Sequence, residues 1–347
     1  MPPTPPPFSA LPWTPDLVDA HGQAGAAIAR LDARICVSLV APAWASRAAW
    51  TGYARALQLQ RFEIDEIDVF AHGCGIHLPG RARIATAGDP FGTLEDWRAR
   101  LAEPTGRHWR EDLPLTFELP QGWEETPALV RALDVIDVWC RKDASIAPWL
   151  ALPILLRRLK LTQTPLPCLA GGDEAQRFAQ GPRPALLKRL LKQLRKSAED
   201  GLERLDALER FRLRAAAAVA QEHRPGKLAD LTRLSLARPS LAARTIASDL
   251  DITLSGAGKL LTRAEGLGLL VEVGSRASWR AYVTPDVAVA LGVKPPDRGR
   301  PRGLPQPTRA VAAILGQFDA EMAAIDSRLQ QLSVGYESHD IDDDTDL

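Results

Sequence analysis

The chain lacks long apolar runs and closely spaced cysteines. Its longest apolar run, residues 148–156, stops at Arg157 and is about half of the ~18 apolar residues that a membrane span requires. Four cysteines are present, and no two form a C-x-x-C pair: Cys36, Cys74, Cys140 and Cys168. The Pro-rich residues 1–8 lack the basic and apolar regions of a signal peptide. We therefore expect a cytoplasmic protein without membrane contact, whose cysteines are reduced and mostly buried.

Motifs that carry enzyme chemistry are also lacking. The sequence has no P-loop, no G-x-G-x-x-G and no G-x-S-x-G motif. His72, Cys74 and His77 offer soft ligands, but a zinc site usually needs about four, which favours a glycine-rich turn over a metal site. The acidic stretch 63–68 is favoured as a solvated helix start over a cation site. We therefore expect no catalytic residues, no cofactor and no metal.

The composition and the periodicity of the sequence predict a mainly α fold. With 46% hydrophobic and 25% charged residues, the 347 residues suit about two or three packed domains of a soluble protein. Helical spacing dominates residues 16–60, and residues 184–221 predict one long charged helix or two. We expect a disordered Pro-rich arm over residues 1–15, followed by a helical domain over residues 16–222.

Residues 227–291 have the pattern of a winged helix-turn-helix domain. Short helices are predicted over residues 228–236 and 241–250, and Thr253 is a good N-cap for a third helix over residues 254–265. Glycines follow this helix, where a left-handed residue commonly ends a helix. Helix, tight turn and helix form the arrangement that lets the second helix of a pair enter the major groove of DNA.

A β-hairpin wing is predicted after the third helix, with strands over residues 269–273 and 279–283. Exposed residues of that helix and the arginines of the wing are the candidate DNA contacts: Ser255, Lys259, Arg263, Arg276 and Arg280. Residues 227–283 hold eight basic and five acidic residues, which is a modest excess for a DNA-binding surface. The alternative is a winged domain that binds protein and leaves its arginines solvated. The basic helix 188–196 is favoured as a solvated face over an extension of the DNA footprint.

The linker over residues 294–307 contains Arg298-Gly-Arg-Pro-Arg302, which resembles the core of an AT-hook. An extended Arg-Gly-Arg segment can lie along a narrow A·T minor groove, where the negative potential attracts arginine. Arg298 and Arg300 are therefore candidate minor-groove residues. The alternative is a basic, Pro-rich linker that only adds attraction to phosphates.

A helix over residues 308–334 carries a heptad seam. Its apolar residues alternate at spacings of four and three: Val311, Leu315, Phe318, Met322, Ile325, Leu329 and Leu332. Such a seam predicts a homodimer through residues 311–332, while a helix that packs on its own chain is the alternative. The acidic tail, residues 335–347, is favoured as a solubilising end over an intramolecular competitor for the basic surface.

The order of features over most of residues 44–291 resembles an uncharacterised bacterial group. Asp137-Val-Trp139, the run 150–158, Leu166-Pro-Cys-Leu169, a long charged helix and the winged segment carry this resemblance. That group joins a helical domain of unknown function to a C-terminal helix-turn-helix DNA-binding domain. The chain is also distantly similar to Fic proteins, whose helical core often precedes a winged helix.

The resemblance to Fic proteins implies a nucleotidyl transferase whose catalytic motif is absent here. Fic enzymes transfer AMP to a hydroxyl with a histidine base and a glycine-rich anion nest, and the matching segment is 141–149. It contains no histidine, no glycine and no asparagine, so it lacks a base and a phosphate cradle, and Asp143 alone cannot replace them. We therefore expect an activity that has been lost.

The sequence thus predicts a mainly α DNA-binding protein, a cytoplasmic and nucleoid-associated transcriptional regulator. In this hypothesis the third helix of the winged domain reads the major groove of double-stranded DNA. Two alternatives from other classes stay open: a degenerate Fic-like nucleotidyl transferase, and a protein-interaction module that uses the winged domain.

Overall fold

The computed structural model describes residues 5–78, 81, 88–103, 108–178, 180–273 and 280–296, with residues 313, 314, 316, 317, 319–321, 324 and 327. Within these residues the chain is mainly helical and contains one small antiparallel sheet. None of the helices in this part of the chain is long and apolar enough to cross a membrane.

Two long helices form the frame of the first two thirds of the chain. Helix α1 (Pro15–Cys36) starts at Thr14, whose hydroxyl accepts a hydrogen bond from the Leu17 amide, as N-caps do. Helix α8 (Arg183–Gln221) is a single helix of 39 residues, so the prediction of one helix or two resolves to one. The buried face of α1 packs along α8.

Among the described residues of this region there are also six shorter α-helices: α2 (Ala41–Leu59), α3 (Glu66–Gly73), α4 (Leu94–Ala102), α5 (Ala128–Lys142), α6 (Ala147–Arg158) and α7 (Glu174–Phe178). The tryptophans of α2 lie in the core, because Trp44 and Trp50 are almost fully buried. The Trp44 indole donates a hydrogen bond to the Gly201 carbonyl of α8 at 2.8 Å. A Cβ on Gly201 would lie 2.9 Å from the Cys168 sulfur, so this crossing needs glycine.

The N-terminal arm is folded onto the helical region, and the prediction of disorder over residues 1–15 is wrong for Phe8–Ala10. These residues form a 3₁₀ turn with Phe8 fully buried. The amides of Phe8 and Ser9 donate to the Asp134 carboxylate at 2.5 and 3.1 Å. The Arg183 guanidinium lies 3.9 Å from the centre of the Phe8 ring. A buried aromatic ring and paired backbone amides therefore order a segment that its composition predicts to be disordered.

The last third combines helices with a small sheet. Its elements are α9 (Leu228–Ala237), β1 (Ser240–Ala242), α10 (Ala243–Asp249), α11 (Leu254–Gly266), β2 (Val271–Glu272), β3 (Ala281–Val283) and α12 (Pro285–Ala290). The antiparallel strands have the order β1-β3-β2, with Leu241 opposite Tyr282 and Val271 opposite Val283. The predicted helix 241–250 therefore starts later, because Leu241 pairs as a buried strand residue.

The helical region and the last third share a hydrophobic core. Residues from the last third belong to the same buried cluster as the helical region: Leu236, Val273, Val283, Val287, Ala288 and Leu291. Arg47 of α2 is also fully buried and pairs with Asp286 at the start of α12, with 2.6 Å between Nε and Oδ2. The segment between the two predicted domains, residues 223–226, therefore connects regions that pack against each other.

The described residues after position 312 are helical and contact the chain's own α8 and α9. Ile314 packs against apolar residues of both helices. Asp319 pairs with Arg212 of α8 at 3.0 Å, and Glu321 pairs with Arg233 of α9. The heptad positions and the acidic tail lie outside the described residues.

Candidate nucleic-acid interface

Helix α11 is set up by residues whose local chemistry matches the sequence prediction. Asp251 has a φ of +52° in the turn after α10, a conformation that aspartate tolerates better than most residues. The Thr253 hydroxyl accepts from the Gly256 amide at 3.1 Å, which confirms the predicted N-cap. Gly268, with a φ of +69°, follows the helix in the left-handed conformation expected there.

One face of α11 is buried and the other is open. The buried face consists of apolar residues: Ala257, Leu260, Leu261 and Ala264. Ser255 and Lys259 are exposed, as predicted, and lie four residues apart on one side of the helix. Gly258 has no heavy atom within 4 Å of the position that its Cβ would take. Small residues around Lys259 therefore leave a surface that another molecule can approach closely.

Arg263 has a different environment from Ser255 and Lys259. Its guanidinium pairs with the Glu222 carboxylate and donates to the Arg224 carbonyl at 2.9 Å. Glu222 directly follows the last residue of α8. Arg263 thus fixes α11 to the end of α8. Arg263 and Glu222 lie 41 positions apart in the chain, and the sequence pattern did not reveal their contact.

The predicted wing lies only partly within the described residues. Arg280 immediately precedes β3, its side chain is 52% exposed, and its Nε lies 3.4 Å from the Glu272 carboxylate. Glu272 lies on β2, so the ion pair connects β2 to the residue that precedes its neighbouring strand β3. The other predicted basic contacts, Arg276 at the wing tip and Arg298 and Arg300 in the linker, lie outside the described residues.

Arg244 is an exposed cation that the sequence analysis missed. It lies in the first turn of α10, the helix that precedes α11. The sequence predicts a helix that starts at Leu241 and contains Arg244, and the pattern of that helix does not distinguish Arg244 from other exposed residues. The available signal was an arginine near the start of the first helix of the predicted pair, because that helix crosses the DNA backbone in helix-turn-helix complexes.

Most of the described basic residues of this region form salt bridges with acidic side chains. Among the described residues, each of five cations between positions 227 and 283 has an acidic partner: Lys227, Arg233, Arg238, Arg263 and Arg280. Within the same part of the chain, Arg244 and Lys259 have no carboxylate within 4 Å. Arg244 and Lys259, both exposed and both on the helix pair, are therefore the two described cations between residues 227 and 283 without a carboxylate partner.

The possible metal ligands have structural roles. His72 stacks on Phe91 with ring centroids 4.1 Å apart, and burial raises the pKa of the Cys74 thiol to about 12. Asp65 and Asp68 form a capping box at the start of α3, where each carboxylate accepts from the other's backbone amide. No cluster of three or more potential metal ligands occurs among the residues that the structure describes.

Asp143, in the segment that the sequence analysis compared with the Fic motif, shapes a turn. Its carboxylate accepts hydrogen bonds from the Ser145 amide at 2.8 Å and from the Trp139 indole at 3.0 Å. Burial opposes ionisation of this group, but the hydrogen bonds hold its pKa below 3.8. Asp143 is thus an ionised acceptor that joins the end of α5 to the start of α6.

The basic face of α8 is largely neutralised by acidic neighbours. Four of its cations between residues 188 and 196 each pair with a carboxylate: Lys188 with Asp16, Arg189 with Asp173, Arg195 with Glu199 and Lys196 with Asp200. Exposed pairs of this kind add little to stability and reduce the field that the face presents to solvent. These contacts fit the favoured interpretation of a solvated face.

No protein-family model matches this chain, and no curated protein matches it significantly.

Proposed function

We propose that this protein binds double-stranded DNA through a winged helix-turn-helix formed by residues 227–291, and that it acts as a transcriptional regulator. The order helix, strand, helix, helix, strand, strand from α9 to β3 supports the proposal, because it is typical of that fold. A three-stranded antiparallel sheet, with β3 between its partners, adds further support.

The exposed face of α11 is the observation that carries the proposal. Ser255 and Lys259 are exposed beside glycines that let a DNA backbone or base edge come close. Lys259 and Arg244 lack intramolecular carboxylate partners among the described residues, so phosphates can pair with them without breaking a salt bridge. In this arrangement α11 lies in the major groove and Arg244 faces the phosphate backbone.

The remaining basic candidates have distinct proposed roles. Arg263 positions α11 through Glu222, and it contacts DNA only if that pair opens. Arg280 is half exposed and lies at the base of the wing, where Arg276 would extend the contact to phosphate or to the minor groove. Arg298 and Arg300 would add an A·T-preferring contact in an adjacent minor groove.

Fluorescence anisotropy on a random duplex and an A·T-rich duplex, at about 50 and about 200 mM salt, tests the proposal. Lys259→Ala and Arg244→Ala should each weaken binding to both duplexes and lower the salt slope by about one unit, because each removes one phosphate contact. Arg298→Ala/Arg300→Ala should remove the preference for the A·T-rich duplex. Lys196→Ala, which removes an exposed lysine of α8, is the matched control and should bind like the parent protein.

Two outcomes would overturn the DNA proposal. One is no binding to either duplex at low salt. The other is measurable binding that Lys259→Ala and Arg244→Ala leave unchanged, because the contacts would then lie elsewhere. In that second case, a winged domain that serves as a protein-interaction surface becomes the better explanation for residues 227–291.

A homodimer through residues 311–332 stays a prediction, and the described contacts favour its alternative. Asp319 and Glu321, two described residues of the same segment, pair with Arg212 of the chain's own α8 and Arg233 of its own α9. Light scattering coupled to size exclusion decides between the two arrangements. A packed-back helix gives the 37.8 kDa mass of one chain, whereas a seam dimer gives twice that mass and becomes monomeric in Ile325→Asp.

A further inference from the structure

A cavity lies where α8, α9 and the C-terminal helical segment meet. Its volume is about 90 Å³, and its apolar wall is formed by six residues: Ala215, Ala216, Val219, Ala229, Leu236 and Ile314. Protein interiors are close-packed, and unfilled spaces larger than a water molecule are few in a domain. Short alanine side chains on both helices leave this space unfilled where longer side chains would occupy it.

The charges at the rim of the cavity are compensated. Arg212 pairs with Asp319 at 3.0 Å. Arg233 lies between two carboxylates, Asp230 at 2.5 Å and Glu321. An anionic or cationic ligand would have to break one of these pairs, whereas an uncharged ligand would leave them intact. The rim therefore selects for neutral molecules.

Two uncharged polar side chains line the cavity, Thr232 on α9 and Gln317 on the C-terminal segment, and the Gln317 amide donates to Glu321 at 3.4 Å. Thr232 lines the cavity, and its hydroxyl donates to the Ala229 carbonyl at 2.8 Å. Because a hydroxyl has one donor and two acceptor lone pairs, the Thr232 oxygen can still accept a hydrogen bond from a ligand. An apolar cavity of about 150 Å³ admits benzene, so this smaller and partly open space fits at most one six-membered ring.

We propose that this cavity is a binding site for a small uncharged ring compound or branched alcohol that carries a single hydroxyl directed at Thr232. A ligand there contacts the long helix α8, the helix α9 that opens the last third of the chain, and Ile314 of the C-terminal segment. It therefore stabilises the packing of that segment on its own chain. An effect of the ligand on DNA affinity would require the proposed DNA-binding function. Binding of the ligand to the cavity does not depend on that function.

Calorimetry and thermal unfolding of the full-length chain with phenol, without DNA, test the proposal. Phenol should bind and raise Tm, and benzoate, its charged counterpart, should do neither. Ala229→Leu fills the cavity and should abolish the phenol shift, while Ala237→Leu, an exposed substitution on the same helix, should keep it. The proposal is wrong if phenol does not bind the parent chain at millimolar concentration, or if Ala229→Leu binds it equally.

A second variant separates loss of the site from loss of the fold. Thr232→Val keeps the shape of the side chain and removes its hydroxyl, so phenol affinity should fall about fivefold, as for one neutral hydrogen bond. Toluene, which has no hydroxyl, should bind Thr232→Val and the parent chain equally. An unchanged phenol affinity in this variant contradicts the assigned orientation. Because no DNA is present, these outcomes are independent of the failure or success of the DNA proposal.

Discussion

Replacement of Arg47 by methionine should destabilise the protein strongly, because it leaves a largely buried carboxylate unpaired. The Arg47 guanidinium is fully buried, and the Asp286 side chain is only 14% exposed. The same guanidinium donates to the Leu236 carbonyl at 3.3 Å and to the Thr284 hydroxyl at 3.2 Å. Methionine fills much of the volume of the arginine stem, so the substitution mainly removes charge and hydrogen bonds.

The expected loss in the free energy of unfolding is about 3–5 kcal/mol, the usual result of removing one partner of a buried ion pair. Two further acceptors, the Leu236 carbonyl and the Thr284 hydroxyl, lose a donor and keep the loss at the upper end of that range. Domains are typically stable by about 5–15 kcal/mol, so the variant should lose a third or more of its stability.

The pH dependence of this loss has a defined sign. Burial alone would raise the pKa of Asp286, but Arg47 and nearby hydrogen bonds hold it below 3.8. In the parent protein this carboxylate therefore adds stability above that pH, and the contribution is lost as the pH falls through the lowered pKa. Without Arg47, burial raises the pKa of Asp286, and stability is then lost as the pH rises through the raised value. The difference between the two proteins should be largest near neutral pH and smallest in acid.

Urea unfolding followed by circular dichroism, at about pH 4.5 and about pH 7.5, measures these differences. Arg47→Met/Asp286→Asn should recover part of the loss at the higher pH, because the buried group can no longer be charged. Arg61→Met removes one partner of an exposed pair with Glu174 and should leave the free energy of unfolding nearly unchanged. A loss below about 1 kcal/mol for Arg47→Met near neutral pH would refute the reasoning.

Two further predictions follow from burial. A thiol reagent should label Cys36 alone in the native protein and all four cysteines in denaturant, since the other three are buried and burial raises their pKa values to about 12. Labelling of the native Cys36→Ser variant would contradict this. Phe8→Ala should cost about 3–5 kcal/mol in urea unfolding, whereas Trp13→Ala, at a site 41% exposed, should cost much less. Equal losses in the two variants would show that the arm is not anchored by Phe8.

Sequence patterns were accurate where a few neighbouring residues decide the structure. The Thr253 cap, the left-handed Gly268 and the extent of α11 all follow from local hydrogen bonding and backbone freedom. The helical spacing over residues 16–60 likewise agrees with the helices Pro15–Cys36 and Ala41–Leu59. These features depend on residues within about one helical turn, so the sequence contains the necessary information.

The errors concern contacts between residues that are distant in sequence. Proline content predicted a disordered arm, but Asp134, 126 positions away, binds the backbone of Phe8. Helical spacing continued through Leu241, but pairing with Tyr282 made it a strand residue. In each case a partner outside the local window overrode the local preference.

The sequence by itself determined the mainly helical class, the helix pair before residue 267 and the exposure of Ser255 and Lys259. Only the tertiary structure decided which cations have intramolecular partners, because Glu222 pairs with Arg263 while Arg244 and Lys259 have no such partner among the described residues. The tertiary structure also joined the two regions of the chain through Arg47 and Asp286, which lie 239 positions apart. Periodicity reports which face of a helix is buried, but the identity of the group that meets that face depends on how distant elements pack.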